Sequence, residues 1–461
     1  MYKFKNSDLV LTSVPLSYEI RKGNPLLTGK DITIFNSSVI NIKNSSNLLI
    51  ASRGWYGNVR SWDGINFTVL TIFDKNYKKI HQNVLDIDKS ILEEQSLRFK
   101  EYKNRIVVHQ KQITEGPEDP RLFYFKGEIF ILVNEIDDAD KDPRKRLMYL
   151  SPIDLNTLDY KTSKTLVCES LSTNFEKNWG PFIYNDKLHM LYDINPLKIM
   201  EVNPNFKCKM VVNKTDSLMS KLDKSFGDLH FHMRNSTNLI KMGSDYLGLG
   251  HAVLDYKDNS DINKFLIPSI DSSNYNSYDK DYFKRFYKLY LGFFFCLDMK
   301  KKEITSISPF FQLPSRESKQ ELIFFPTSIY EDKDKFINIS YSLGDNRSYL
   351  CKLHSEVIKS SLYDKENINI HMNFGINMNY YLELLRTLRI VFNYSHKLKD
   401  YVKYPKKDYT KREKRSLMKN SRPLSKSNSK GSVKGTKGSL KRKNKKNKKK
   451  KNKSRRKSKK K

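Results

Sequence analysis

The chain has 461 residues, of which 38% are hydrophobic and 12% aromatic, so it can bury a large core and is not a disordered protein. Its formal net charge of +34 is unevenly placed, because residues 403–461 hold 29 Lys and Arg against two acids and therefore carry +27 of it. The remaining chain is only mildly basic, which argues against a nucleic-acid-binding body and assigns any polyanion partner to the tail.

Cysteine spacing and hydropathy indicate where in the cell the protein is expected. No two of the four cysteines have the close spacing of a zinc knuckle or a Cys-x-x-Cys motif, so they read as reduced thiols: Cys168, Cys208, Cys296 and Cys351. No signal-peptide segment and no membrane-spanning run of apolar residues is present. We therefore expect an intracellular, cytoplasmic protein with no membrane span, associated with a virion or nucleic acid if it is of viral origin.

Short apolar strands separated by turn residues dominate the chain from about residue 30 to residue 355. Five segments share one pattern, a strand, a turn with Gly, Asn or Asp, and a second strand: 34–53, 118–132, 179–193, 234–251 and 324–342. Their spacing of roughly 60 residues suits one four-stranded blade each. The pattern predicts an all-β fold, a five-bladed β-propeller over 31–358 after an N-terminal extension over 1–30. The alternative is a two-sheet sandwich, which would scatter the polar strand ends.

The pattern changes beyond the last predicted blade. Residues 359–402 are expected to form a C-terminal helical extension, since apolar residues recur at helical spacing between Asn379 and Tyr394. Residues 403–461 consist mainly of Lys, Arg, Ser, Asn and Gly, which predicts a disordered tail. The tail could bind nucleic acid or another polyanion non-specifically, but it lacks the interleaved aromatics that stack on bases. It could equally be a solubilising appendage without a specific partner.

The most informative motif is Glu118-Asp119-Pro120-Arg121, which stands directly before a predicted strand, a glycine turn and a second strand. It resembles the signature of the five-bladed propeller enzymes of glycoside hydrolase family 130, the β-mannoside phosphorylases and related hydrolases. Further segments resemble that family in the same order along the chain: Phe35-Asn36-Ser37, Arg53, Glu176-Lys177-Asn178-Trp179, Arg234-Asn235-Ser236-Thr237, His251 and Ser340-Tyr341-Ser342-Leu343-Gly344-Asp345. One departure is Asn235-Ser236, where the family has two glycines.

The resemblance implies a role for each matching residue. Asp119 would be the general acid, its pKa raised by a dry, sugar-filled funnel. Other residues would contact the sugar, namely Asn36, Ser37, Arg121, His251 and Asp345. A third set would hold inorganic phosphate, namely Arg53, Lys177 and Arg234. Alternatively, Asp119 and Arg121 form a structural salt bridge, and each basic residue is an ordinary surface charge. Trp179 or Tyr192 is either a stacking platform or part of the core.

No cofactor is predicted apart from phosphate as a co-substrate. Asp228, His230 and His232 alternate along one predicted strand, yet no further metal ligand is identifiable, so no metal site is predicted. The leading hypothesis is a phosphorylase or hydrolase that cleaves β-linked mannosides or related oligosaccharides with inversion. The alternative is a catalytically inactive glycan-binding or structural protein, localised by its polybasic tail to nucleic acid or a particle.

Overall fold

The computed structural model describes residues 14–29, 31–58, 63–87, 116–137, 145–168, 175–225, 231–255, 288–308, 310–311, 313 and 323–364. The predicted C-terminal helix, the basic tail, Asp228 and His230 lie outside this part of the chain. No helix within it is long and apolar enough to cross a membrane.

The described chain begins with strand β1 (Val14–Pro15), helix α1 (Leu16–Arg21) and a 3₁₀ turn (Pro25–Leu27). The first blade has its strands in sequence order: β2 (Ile32–Asn41), β3 (Leu48–Asn58), β4 (Asp63–Phe73) and β5 (Lys79–Leu85). The second contains β6 (Glu118–Phe125), β7 (Glu128–Asp137), β8 (Lys145–Asp154), β9 (Asp159–Tyr160) and β10 (Lys164–Leu166). The third contains β11 (Gly180–Tyr184), β12 (Lys187–Ile194), β13 (Leu197–Val202) and β14 (Cys208–Lys214).

Helix α2 (Ser217–Ser225) leads into the fourth blade, and helix α3 (Ser355–Ser361) follows the fifth. The fourth blade contains β15 (Phe231–Asn235), β16 (Ile240–Met242), β17 (Asp245–Asp255), β18 (Lys288–Asp298), β19 (Glu303–Ile307) and β23 (Tyr363–Asp364). The fifth contains β20 (Phe324–Glu331), β21 (Phe336–Leu343), β22 (Arg347–His354) and, from the start of the chain, β1. The predicted five-bladed β-propeller is confirmed.

The first strand of the chain completes the last blade. Val14 pairs with Leu350 and Pro15 with Tyr349, so β1 is the fourth strand beside β22. A proline is tolerated there because an edge strand leaves its outer hydrogen-bonding side unpaired. The stretch predicted as an N-terminal extension therefore supplies a strand of the propeller.

Neighbouring blades are joined near the axis by buried polar side chains. Ser38 Oγ on β2 accepts a hydrogen bond from Leu122 N on β6 at 2.8 Å, and Ser328 Oγ on β20 accepts one from Val39 N at 2.7 Å. Asn238 donates to the carbonyl of Ile329 and accepts from its amide at 2.8 and 3.1 Å. These side chains satisfy backbone groups of innermost strands, which have no strand partner on that side.

Helix α1 packs inward against the first and last blades. Leu16 and Ile20 are fully buried in a cluster with Ile34 and Leu350, whereas Tyr18 on the same helix is half exposed. The spacing of four residues places Leu16 and Ile20 on one helix face. This face fastens the start of the chain to the closing blade.

Replacement of Ile20 by Ala should lower the free energy of unfolding by about 2–4 kcal/mol, because it removes buried methyl groups and leaves a cavity. The measurement is denaturant unfolding at neutral pH. Tyr18→Ala on the exposed face of the same helix is the control and should cost less than about 1 kcal/mol. Equal losses for the two variants would show that α1 does not pack against the propeller through the face that contains Ile20.

Candidate functional site at the propeller axis

The site begins with irregular pairing in the innermost strands. The register of β2 against β3 shifts between Phe35 and Ser38, and that of β6 against β7 shifts between Glu118 and Arg121. At these bulges Asn36 (φ 47°) and Asp119 (φ 50°) adopt the left-handed conformation, which Asn and Asp tolerate better than most side chains. The bulges interrupt the strict alternation of the strands and re-aim both side chains.

Arg53 on β3 is the hub of the site. Its side chain is 8% exposed, and every guanidinium nitrogen has a partner on the protein. Nε donates to Asn66 Oδ1 at 2.7 Å, Nη2 to Glu118 Oε1 at 2.9 Å and Nη1 to Asp119 Oδ1 at 3.1 Å. The nearby carboxylates outweigh burial, so the pKa of Arg53 is raised. Arg53, predicted as a phosphate ligand, is thus engaged in binding carboxylates.

Glu118 receives a second cation from its own blade. Arg146 Nη2 on β8 lies 3.1 Å from Glu118 Oε1, and Asn66 Nδ2 donates to the same oxygen at 3.3 Å. Arg146 Nη1 in turn donates to Asn134 Oδ1 on β7 at 2.9 Å. Charge-assisted bonds of this kind hold the Glu118 side chain in place between the first two blades.

Asp119, the predicted general acid, is held in its ionised form. Its Oδ1 accepts hydrogen bonds from Asn36 Nδ2 at 2.7 Å and Arg53 Nη1 at 3.1 Å. Burial alone would raise the pKa of Asp119, but Arg53, Arg121 and the two hydrogen bonds outweigh it and lower the pKa below its ordinary value. The raised pKa expected from the sequence is therefore wrong for the free protein, because the expectation ignored these cations.

Arg121 spans the axis from the second blade to the fourth. Arg121 is 2% exposed, and its guanidinium lies over the Phe325 ring. Its Nε donates to the carbonyl of Ser236 at 2.5 Å, and its Nη1 donates to the carbonyl of Asp119 at 2.8 Å. Burial lowers the pKa of Arg121 to about 10, partly offset by Asp119. Its Nη2 has no hydrogen-bond acceptor among the described residues. The Asp119 carboxylate pairs with Arg53, whereas Arg121 bonds the Asp119 backbone.

His251 on β17 is joined to Arg121 through Ser236. Its Nδ1 shares a hydrogen bond with Ser236 Oγ, and its ring stacks on Tyr290 and tilts against Phe325. Burial, followed by the positive charges of Arg234, Arg121 and Lys177, lowers the pKa of His251 to about 3. His251 is therefore a neutral hydrogen-bonding group at physiological pH.

Two of the predicted phosphate ligands, Lys177 and Arg234, are exposed cations on the third and fourth blades. Both influence His251, and Lys177 also influences Asp345. Asp345 lies in the turn between β21 and β22 with φ 48°. Burial and the carboxylates Asp119 and Glu118 raise the pKa of Asp345 to about 6, against the opposing effect of Arg53 and Lys177. The predicted charged residues therefore share one electrostatic neighbourhood.

Some predicted contacts lie behind the site surface. Ser37 is fully buried, and its hydroxyl pairs with Ser52 Oγ at 2.7 Å, so the structure gives it protein partners. Trp179 is 1% exposed, donates to Glu176 and packs edge-on against Tyr192, as a core residue does. Gly180 leaves room for the amide of Asn235, which a Cβ there would approach to 2.1 Å.

Sequence reasoning missed the residues that position Arg53. Glu118 belongs to the recognised motif, yet strand alternation would point it away from Asp119, and only the bulge removes this conflict. Asn66 is not among the site residues predicted from the sequence, yet it is fully buried and accepts a hydrogen bond from Arg53 Nε. Asn66 lies directly opposite Trp55, two residue pairs from the pair formed by Arg53 and Thr68, and only the register of β3 against β4 shows this position.

No family model matches the sequence, and no curated protein matches it. Similar solved structures include a mannose phosphorylase from Leishmania mexicana in complex with phosphate, which is 11% identical in sequence. The match covers 70% of this chain and 85% of the phosphorylase chain, with a TM-score of 0.40. A β-1,2-mannobiose phosphorylase from Listeria innocua has 9% identity, coverages of 77% and 99%, and a TM-score of 0.43. A GDP-Man-dependent mannosyltransferase from Leishmania mexicana has 12% identity, coverages of 76% and 91%, and a TM-score of 0.43. Mannoside phosphorylases, which the sequence motifs resemble, are thus among the similar structures.

Replacement of Arg53 by Met should cost about 3–5 kcal/mol of stability at pH 7, because it leaves Glu118 and Asp119 without their shared cation. Lys187→Met, which breaks an exposed pair with Glu201, is the control and should cost at most about 1 kcal/mol. Because the pKa of Asp119 is lowered on folding, its contribution is lost on acidification. The gap between wild type and Arg53→Met, measured by urea unfolding, should therefore narrow below about pH 4.

His251 should make the protein sensitive to mild acid. The unfolded chain binds a proton at His251 near pH 6.5, whereas the folded chain does so only near pH 3, so acidification favours unfolding. Between pH 7.5 and 5 the wild type should lose about 2 kcal/mol more stability than His251→Gln. Parallel urea titrations at these two pH values measure the difference, and parallel losses in the two proteins would contradict a neutral buried His251.

Proposed function

We propose that the axial site binds an oligosaccharide and cleaves a glycosidic bond with inversion, with phosphate as the preferred nucleophile. The observation that carries the proposal is the grouping of three carboxylates, Glu118, Asp119 and Asp345, beside two exposed cations, Lys177 and Arg234. Inverting cleavage needs a proton donor for the leaving group and a separate place for the nucleophile. The site supplies carboxyl groups for the first task and free cations for the second.

The nucleophile zone is proposed to consist of Lys177 and Arg234. Both are exposed and so remain available to an anion, in contrast to Arg53, whose three nitrogens bind protein oxygens. An arginine can grip two phosphate oxygens at once, and a lysine adds a point charge. Arg53 therefore has a supporting role in this proposal, which differs from the role implied by the sequence resemblance.

The sugar zone is proposed to lie around Asn36, Asp119, Arg121 and His251. Asn36 Oδ1 and Arg121 Nη2 are buried and have no hydrogen-bond partner among the described residues, and a sugar hydroxyl can serve either of them. The orientation of the Asn36 amide is fixed, because its Nδ2 must face the Asp119 carboxylate. Neutral His251 adds a hydrogen-bonding group without an additional charge.

A product assay tests this function. The full-length protein is incubated with β-linked manno-oligosaccharides with and without phosphate, and free sugar and sugar phosphate are measured. We expect phosphate-dependent release of a sugar phosphate. The double variant Lys177→Ala/Arg234→Ala should lose about 10²-fold or more of phosphorolysis, an amount typical for the loss of a preorganised electrostatic contact. Lys187→Ala, which changes an exposed residue at the start of β12 in the third blade, serves as the control.

Two results would overturn parts of the proposal. Release of free sugar alone, at a rate that phosphate does not change, would assign water as the nucleophile. Equal inactivity of wild type and Asp119→Asn, together with glycan binding in calorimetry, would support the catalytically silent glycan-binding protein instead.

A further inference from the structure

The second and third blades meet where the chain leaves β10 and where β14 begins. Val167 N donates to the carbonyl of Phe206 at 3.2 Å, and Cys208 N donates to the carbonyl of Val167 at 2.7 Å. These two bonds form a parallel bridge in which Val167 lies opposite Lys207. In parallel pairing the next residues of the two segments are opposite each other as well. The register therefore brings Cys168 of the second blade beside Cys208 of the third.

Burial alternates across this bridge as it does in a strand. The side chains of Val167 and Lys207 are exposed, whereas Cys168 is half-buried and Cys208 is buried. Successive side chains of an extended chain point to opposite faces, so both thiols point inward. Both cysteines pack on the same core cluster, which includes Met148 of β8.

The spacing of the two backbones suits a disulfide bond. Paired strands lie about 4.8 Å apart. Cysteines joined by a disulfide have Cα atoms roughly 4.4–6.8 Å apart, with both Cβ atoms on the same side. The register and the shared inward face of Cys168 and Cys208 meet both conditions.

The two cysteines differ in their access to solvent. Both are in the thiol form, and the half-buried Cys168 is the one that a small oxidant in solution reaches first. Burial, followed by the nearby Cys168 and Glu176, raises the pKa of Cys208 to about 12. Cys208 therefore stays protonated and reacts only with a sulfur that is already beside it. An accessible thiol next to a second, resolving thiol is the arrangement of redox-sensitive pairs.

We propose that Cys168 and Cys208 form a reversible disulfide that staples the second blade to the third. The oxidant is a low-molecular-weight disulfide such as glutathione disulfide. Cys168 loses its proton to solvent, and its sulfur attacks one glutathione sulfur, which forms a mixed disulfide and releases one glutathione thiolate. Cys208 then loses its proton, and its sulfur attacks the Cys168 sulfur and releases the second glutathione. Two cysteines are oxidised, and one glutathione disulfide is reduced to two glutathione thiols.

The other two cysteines of the chain provide an internal control. Cys296 lies opposite Leu247 and Ser306, and Cys351 lies opposite Ile339. Neither has a cysteine opposite it in the register of these strands, and both are buried. We therefore expect both to remain thiols under conditions that oxidise the proposed pair.

Peptide mapping tests the bond. The full-length protein is incubated with glutathione disulfide at mildly alkaline pH, which raises the thiolate fraction. Remaining thiols are blocked with N-ethylmaleimide, and tryptic peptides are analysed by mass spectrometry without reduction. We expect peptide 165–177 to be linked to peptide 208–209 in wild type and in Cys296→Ser, but not in Cys168→Ser. Cys208→Ala should instead retain glutathione on Cys168, because no second thiol displaces it.

Thermal unfolding tests whether the bond acts as a staple. The disulfide closes a loop of about 40 residues, so oxidation should raise the midpoint temperature of wild type by about 5 °C and that of Cys168→Ser by less than about 1 °C. Dithiothreitol should reverse the shift.

Three results would overturn the proposal. Glutathione retained on Cys168 of wild type without the cross-link would show that the two sulfurs do not meet. Unmodified Cys168 would show that the oxidant does not reach it. A cross-link that leaves the midpoint temperature unchanged would show that the bond does not staple the blades.

Discussion

The guanidinium of Arg53 is the constraint on which the axial site depends. One cation from the first blade is divided between two consecutive carboxylates of the second, and this sharing requires Glu118 and Asp119 to face it together. An ordinary strand cannot present neighbouring residues to the same side, so the bulge in β6 and the left-handed backbone of Asp119 follow from that requirement. The backbone conformation of β6 and the pairing of charges in the site therefore depend on each other.

The same constraint separates the site into zones of different chemistry. Carboxylates and their committed cations lie deep, and the uncommitted cations Lys177 and Arg234 lie exposed on the next two blades. Arg121 closes the deep zone from the opposite side by bonding backbone carbonyls of two blades. Its hydrogen bonds to carbonyl oxygens join the two blades, and its charge helps to lower the pKa of Asp119.

The sequence was sufficient to predict the five-bladed architecture and most residues of the candidate site, because both predictions depend on local sequence patterns. Strand alternation, turn residues and the order of motifs predicted five blades, and the motif residues Asn36, Arg53 and Asp119 do meet. Strand β1 was missed because two residues show no periodicity, and its partner lies more than 300 residues away. The lowered pKa of Asp119 was also not predicted, since it depends on a contact with Arg53, which lies on a different blade.

Closure of the ring by β1 has a consequence for synthesis of the chain. Val14 leaves the ribosome long before Leu350, and at typical rates of elongation the interval is on the order of tens of seconds. During that time the first blade can pair its own strands, whereas β1 and the part of α1 that packs on the last blade still lack their partner. Ring closure is thus a late, non-local step, and a nascent chain must keep an apolar surface from aggregating until its last blade has emerged.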